Sequence, residues 1–189
     1  APSSVLIIRA QQPAASESIE RQYSRMMVPL DGSRRAENVL PMVTLLARFH
    51  QSRISIVHVV KTPEMPRQMP LARQDVELSE QVVARNREEA IRYLDQVRLH
   101  SPLDGIDVQT HLLTSDNAAA ALHELADKEG IDMVALSAHG YSGNNQWPYG
   151  SMVNNFILYS KVPVLIVQDL PAKEEPGTVD MVTRERTEH

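Results

Sequence analysis

The residues best suited to chemistry lie in one stretch, Ser137-Ala-His-Gly-Tyr-Ser-Gly-Asn-Asn-Gln-Trp-Pro-Tyr-Gly-Ser151. It holds Gly140, Gly143 and Gly150, three of the chain's seven glycines. Glycine admits positive φ and lets a ligand come close to main-chain N–H groups. Ahead of the stretch runs Asp132-Met-Val-Ala-Leu136, an apolar segment with the pattern of a buried strand. Behind it, Met152, Val153, Phe156 and Ile157 repeat at the spacing of one helix face. Gly150-Ser151 therefore stands at a helix entrance, where unpaired N–H groups and the helix dipole favour an anion. The chemistry this suggests is the binding of a phosphate-bearing ligand. A plainer reading fits the same spacing: the glycines make turns and Ser151 is an N-cap. Neither G-x-x-x-x-G-K-[ST] nor G-x-G-x-x-G occurs in the chain.

Other reactive residue types form no constellation. The histidines are His50, His58, His100, His111, His123, His139 and His189, and no two make an H-x-x-x-H pair. No metal site is expected from such spacing. His139, beside Gly140, either orients the loop by a hydrogen bond or touches a phosphate. Ser33 and Ser151 lie outside any G-x-S-x-G elbow, and no Ser/His/Asp triad can be argued. The expectation is a protein that is not an enzyme, with no positioned general base. Trp147-Pro148-Tyr149 reads as aromatic packing against the sheet.

Composition sets the bounds. The chain has 189 residues, 42% hydrophobic and 23% charged, enough for one domain with a real core and some excess. A net charge of −5 gives nucleic acid no electrostatic invitation. The absence of cysteine removes disulfides, thiol chemistry and thiolate metal sites. No apolar run approaches a membrane span, and Val5-Leu-Ile-Ile8 is too short for a signal-peptide core. A cytoplasmic protein is expected.

The elements that would position the loop follow in order. Arg25-Met-Met-Val-Pro-Leu30 reads as a buried strand, and Asp31-Gly-Ser33 as a turn in which Asp31 or Ser33 caps a helix. Ala36, Leu40, Val43, Leu46 and Ala47 keep helical spacing through about His50. Arg53–Val60 is a second strand, rich in β-branched residues. Residues 61–72 carry three prolines and predict a mobile crossing without regular structure. A long helix over roughly 73–100 has Val76, Val83, Ala90, Leu94 and Val97 as its inner face. Ile106–Leu113 is the third strand. A helix over 117–128 is capped by Asp116 and stopped by Gly130, and Pro163–Val167 is the last strand of this series.

Strands that alternate with helices predict a parallel sheet covered on both faces. Ligands of such sheets sit beyond the carboxyl ends of the strands, where the strand order reverses. The turn at Asp31, the end of the second strand at Val59-Val60 and the 137–151 loop all fall at those ends, and their convergence favours the ligand reading.

Several separated motifs now carry a resemblance. Met27-Val-Pro-Leu-Asp-Gly-Ser33, Val57-His-Val-Val60, His139-Gly140 with Gly150-Ser151, and Pro163-Val-Leu-Ile-Val167 stand in the order and at the separations found in the universal stress protein family. The resemblance runs from about Arg25 to Gln168. It implies an open five-stranded parallel sheet of order 3-2-1-4-5 with helices on both faces, a nucleotide-binding, α-hydrolase-like three-layer sandwich. Many members of the family bind ATP through G-x-x-G-x9-G-[ST]; here Ser137 holds the first position, and Gly140, Gly150 and Ser151 match.

By that resemblance, Asp31 meets the adenosine and Val59 with Pro29 lines the adenine slot; Leu30 and Leu136 count among the binding residues as well. Gly140, Gly150, Ser151, Met152 and Val153 cradle ribose and phosphates, with Ser137 and His139 alongside. No Lys or Arg lies within 137–151. The countercharge of a triphosphate would come from Mg²⁺ or from Arg34, Arg35, Arg67 or Arg73; otherwise the ligand is less charged. The role implied is regulatory and non-metabolic. A nucleotide-free dimeric interaction scaffold of the same fold is the alternative.

The start of the chain echoes its end. Ser4-Val-Leu-Ile-Ile-Arg9 resembles Pro163-Val-Leu-Ile-Val-Gln168 position by position. Tandem members of the family join one domain's last strand to the next domain by a linker, and by that resemblance residues 1–24 read as such a last strand and linker, 25–168 as the domain and 169–189 as a charged, disordered tail. The first strand is expected at the open edge beside Pro163–Val167. The family's fifth strand commonly pairs across a dimer axis, so the resemblance implies a homodimer through that edge. The strand then either caps the edge internally or is exchanged, and a dimer in which it takes part is expected.

Overall fold

The computed structural model describes residues 3–9, 22–63, 73–101, 103–140 and 149–168. The linker over 11–21, most of the proline-rich crossing, Trp147-Pro148 and the tail from 169 lie outside them. The strands are β1 (Val5–Ile7), β2 (Arg25–Pro29), β3 (Arg53–Lys61), β4 (Val108–Ser115), β5 (Met133–Ser137) and β6 (Val164–Val167). The helices are α1 (Arg34–Glu37), α2 (Leu40–His50), α3 (Arg73–His100), α4 (Ala118–Glu129) and α5 (Ser151–Tyr159).

One sheet has the order β1-β6-β5-β2-β3-β4. Counted from β2, its five parallel strands run 3-2-1-4-5, as expected. The sixth strand, β1, is antiparallel to β6, with Val5 opposite Ile166, Leu6 opposite Leu165 and Ile7 opposite Val164. The echo at the start of the chain is therefore a strand, shorter than the run 4–9, at the edge where it was expected.

Side chains alternate between the two faces, as the period of a strand requires. Met26, Val28, Ile54, Ile56 and Ala135 pack under α1, α2 and α3 with Val39, Val43, Leu94 and Val97. Met27, Val57, Val134, Leu136 and Ile166 pack under α4 and α5 with Leu122, Leu125, Val153 and Phe156. Both faces are dry, so the central strands are buried almost throughout.

Four local readings are corrected. The helix expected through His50 is broken at Asn38-Val39 into α1 and α2. Pro41 stands in the first turn of α2. It has no N–H to give the carbonyl of Glu37, and its ring crowds that carbonyl, so a continuous helix is blocked one turn earlier. Second, α4 is capped by Asn117 rather than Asp116: the Asn117 side chain accepts from the Ala120 N–H at 3.1 Å. Third, β4 starts at Val108, because Gly105 turns the chain at φ +78°. Last, α3 buries Ala90, Leu94 and Val97 but leaves Val76 37% exposed. With 28 residues the helix is about 42 Å long, more than the roughly 30 Å of nine-residue β3, and no described side chain from 75 to 89 is buried.

Candidate functional site

β2 lies between β5 and β3, and the chain departs from it in both directions. Its carboxyl end is thus the switch point of the sheet. A cleft of about 820 Å³ opens there, and all twelve residues expected at a ligand site line it.

Three strand ends form its base. Pro29 and Leu30 close β2, and the Leu30 N–H donates to the Val57 carbonyl at 2.8 Å, which locks β2 to β3. Val59 lies on the same side of β3 as Val57, half-buried and facing the α4 layer. Leu136 is 4% exposed, and the Ser137 hydroxyl is buried without a hydrogen-bond partner among the described residues. A buried hydroxyl left unpaired costs about 1–3 kcal/mol unless something else pairs with it.

The Asp31 turn is held by its own side chain. Asp31 Oδ1 accepts from the Ser33 N–H at 3.0 Å and from the Ser33 hydroxyl at 2.6 Å. The Ser33 hydroxyl in turn accepts from the Ala36 N–H at 3.2 Å and caps α1, which decides between the two expected caps. The other carboxylate oxygen faces Gly140: a Cβ built there would sit 2.1 Å from Asp31 Oδ2. Gly140 is glycine because the carboxylate fills the space of its side chain.

Gly150 differs. Its φ of −70° suits any residue, and a Cβ would make only ordinary contact, 3.5 Å from the Ala138 carbonyl oxygen. The Gly150 N–H donates to that carbonyl at 2.8 Å, and the Ala138 N–H donates to Val167 at 2.8 Å. These bonds tie the start of α5 to the end of β5. Gly150 itself is the N-cap, so the reading of Ser151 as the cap is corrected: Ser151 is the first helical residue. Because the cap has no side chain, the N–H groups of Ser151, Met152 and Val153 have neither a capping side chain at Gly150 nor, among the described residues, an intrahelical acceptor. Val153 and Phe156 anchor α5 in the core, and His123 on α4 steadies it with a 2.9 Å bond to the Asn155 side chain. Half-buried Tyr149 packs on the same cluster, as expected of its aromatic neighbourhood.

Several lining residues were missed in the sequence. α3 contributes Asn86, Glu89 and Tyr93, and β3 contributes His58 and Lys61. His58 Nδ1 lies 2.8 Å from the Leu30 carbonyl oxygen, and its ring meets Tyr93 edge-on with centroids 5.7 Å apart. The Tyr93 hydroxyl is buried and reaches no partner at hydrogen-bonding geometry. Burial first, then the Glu37 carboxylate, then Asp31, push the Tyr93 phenol well above its ordinary pKa, so it stays neutral. Lys61 is the one cationic side chain of the lining among the described residues. Of the arginines considered earlier, Arg34 and Arg35 are not part of that lining; Arg67 and the Arg73 side chain lie outside the described residues. Among the described residues no three metal-ligating side chains come together.

A doubly wound sheet with an uncapped helix start and a carboxylate at its switch point is an open α/β fold of the kind whose switch points form clefts. The chain belongs to the universal stress protein family, whose model matches residues 22–168. It is 23% identical over 151 residues to the universal stress protein YxiE of Bacillus subtilis, covering 77% of this chain and 99% of that one. Among solved structures, hypothetical protein MJ0577 superposes with a TM-score of 0.68 at 21% identity, over 80% of this chain and all of that one. The universal stress protein UspA of Lactobacillus plantarum does so with 0.62 at 18% identity, over 78% and 99%. At such identities the structural likeness speaks for the fold. No described helix is long and apolar enough to cross a membrane.

Proposed function

We propose that this chain binds an adenine nucleotide, ATP accompanied by Mg²⁺, in the cleft at the carboxyl end of the sheet, and serves a regulatory rather than a metabolic role in the cytoplasm. The observation that carries the proposal is the meeting, in one switch-point cleft, of the Asp31 carboxylate and three uncapped N–H groups at the start of α5. A carboxylate accepts from ribose hydroxyls; a helix start takes phosphate. Branched Val59 and flat Pro29 offer the purine an apolar slot, and the volume is within the range of small-molecule sites. A universal stress protein solved in complex with cAMP, with a TM-score of 0.52 at 19% identity over 79% of this chain and all of that one, supports the class of ligand.

Lys61 is placed to balance part of the phosphate charge. Mg²⁺ would be held by the phosphates and water more than by protein. Hydrolysis would be slow and incidental, since Asp31 Oδ1 is engaged by Ser33.

Calorimetric titration with ATP and Mg²⁺ at millimolar ligand tests the reading. Binding heat with a thermal shift supports it. Neither heat nor shift would promote the second reading, a nucleotide-free interaction scaffold, which the lack of Lys and Arg within 137–151 favours. A homodimer through the β6 edge belongs to both readings, and β1 now occupies that edge.

A further inference from the structure

A second cavity lies at the other end of the sheet. It has about 650 Å³ and sits at the amino ends of β2, β3 and β4, beside the last turn of α2. The length of β3, about 30 Å, separates it from the cleft at the carboxyl end. Its lining carries three guanidiniums, Arg25, Arg48 and Arg53, against one carboxylate, Asp107. A positive surplus of that size stands out in a chain of net charge −5.

Each guanidinium is anchored. Arg53 Nε donates to Asp107 Oδ2 at 2.6 Å, Arg48 Nη2 to the Asp104 carbonyl at 3.3 Å and Arg25 Nη1 to the Glu129 carbonyl at 2.7 Å. A guanidinium has five N–H donors in a rigid fork, so an anchor at one edge orients the group without exhausting it. Arg25 stands beside Arg53 in the register of neighbouring strands. Such strands lie about 4.8 Å apart, and like charges at that spacing repel. Two of the three anchors are neutral carbonyls, which do not cancel charge; an oxyanion does. Asp132, a further acid at this end, is turned instead to the N–H groups of Ser24 and Arg25, at 2.7 and 3.0 Å.

The rim adds a donor and an entrance. Gln51 closes α2 at φ 54°, the one positive φ outside glycine among the described residues. Glycine is the usual residue at such a helix end; glutamine puts a carboxamide in the lining as well. At Gly105 the wall is open, since a Cβ there would meet nothing within 4 Å.

We propose that this cavity binds a compact polyanion, a phosphoryl or polycarboxylate ligand held by Arg48 and Arg53, with Arg25 adding charge. Both sources share one chemistry: paired oxygens of an oxyanion meet the parallel N–H groups of a guanidinium edge. The volume is within the range of small-molecule sites. The site is separate from the nucleotide cleft, and the proposal does not rest on nucleotide binding.

The test is amide NMR of the full chain, titrated with pyrophosphate and separately with citrate at constant ionic strength. The expected result is saturable shifts at Ser52, Gly105 and Ile106, half complete at about a millimolar or below. The tighter of the two probes identifies the source, phosphoryl or carboxylate. Arg48→Gln and Arg53→Gln are each expected to weaken that binding about tenfold, while the response of Ser151–Val153 to ATP stays as in the parent. The Arg53–Asp107 pair is exposed on both sides, so losing it should cost the fold little. Should a glutamine variant fail to fold, Arg48→Lys keeps the charge without the fork and is expected to weaken binding about threefold. Shifts at these amides that sodium chloride reproduces, or binding that the arginine variants leave unchanged, would overturn the proposal. Pyrophosphate shifts confined to Ser151–Val153 would overturn it too, and would leave the nucleotide reading standing.

Discussion

Replacing Gly140 by alanine separates a packing role from a ligand role. The new Cβ would lie 2.1 Å from Asp31 Oδ2, well under the 3.0 Å that real contacts respect. The carboxylate must move by about 1 Å, and it cannot turn freely. Its other oxygen is fixed by the Ser33 N–H at 3.0 Å and the Ser33 hydroxyl at 2.6 Å, and that hydroxyl caps α1. Overpacking of this kind costs about 1–3 kcal/mol. At about 2–4 °C per kcal/mol for a chain of this size, the melting temperature should fall by roughly 2–12 °C without any ligand. A displacement of about 1 Å at a binding group should also weaken nucleotide binding by roughly tenfold or more. Differential scanning fluorimetry of the free protein and calorimetry with ATP read the two effects separately. A Gly140→Ala chain that melts within about 1 °C of its parent would refute the reasoning, because the carboxylate would then not occupy that space.

The other expectations are narrower. Gly150→Val should leave the melting temperature within about 2 °C, since its Cβ meets only ordinary contacts, yet remove the ATP binding heat; unchanged binding would place the site away from α5. Lys61→Gln should weaken ATP about twofold to fivefold and leave adenosine unaffected, with the loss shrinking in high salt; an equal loss for both ligands would assign Lys61 a packing role. Tyr93→Phe should not lower stability at neutral pH, because the buried hydroxyl it removes reaches no partner at hydrogen-bonding geometry. The folded phenol is raised above its unfolded value, so its stabilising contribution is complete below about pH 10 and declines as pH rises beyond. Thermal melts above pH 10 should therefore fall less steeply for Tyr93→Phe than for the parent, and parallel curves would contradict the assignment.

Much of the frame was legible because the central strands are buried. Ile54, Ile56 and Val57, or Val164-Leu-Ile-Val167, have no other stable use in a water-soluble domain, and their alternation with helices leaves few topologies. The site was legible for a related reason: strand ends and a glycine at a helix entrance converge wherever the sheet is doubly wound. What escaped depends on directions that a linear pattern does not contain. Tyr93 and Glu89 reach the cleft because α3 packs on β3 and β4, and an inner face counted from Val76 hides that. The true partner of Gly140 was invisible because Asp31 lies 109 positions away in the chain. The break before α2 did carry a signal: Pro41 follows Glu37 by four residues, the spacing that denies a helix one of its bonds. The Asn117 cap was missed by one residue, since Asp116 and Asn117 are equally good caps by type.

The central claim, that an adenine nucleotide sits between Asp31 and the start of α5, is tested most directly by amide NMR during titration with ATP and Mg²⁺. The expected result is that the largest shifts fall on Ser151, Met152 and Val153, whose N–H groups have no side-chain cap at Gly150, with Asp31 and Gly140 moving alongside. Those amides unmoved at saturating nucleotide, or shifts gathered at the opposite end of the sheet, would contradict it.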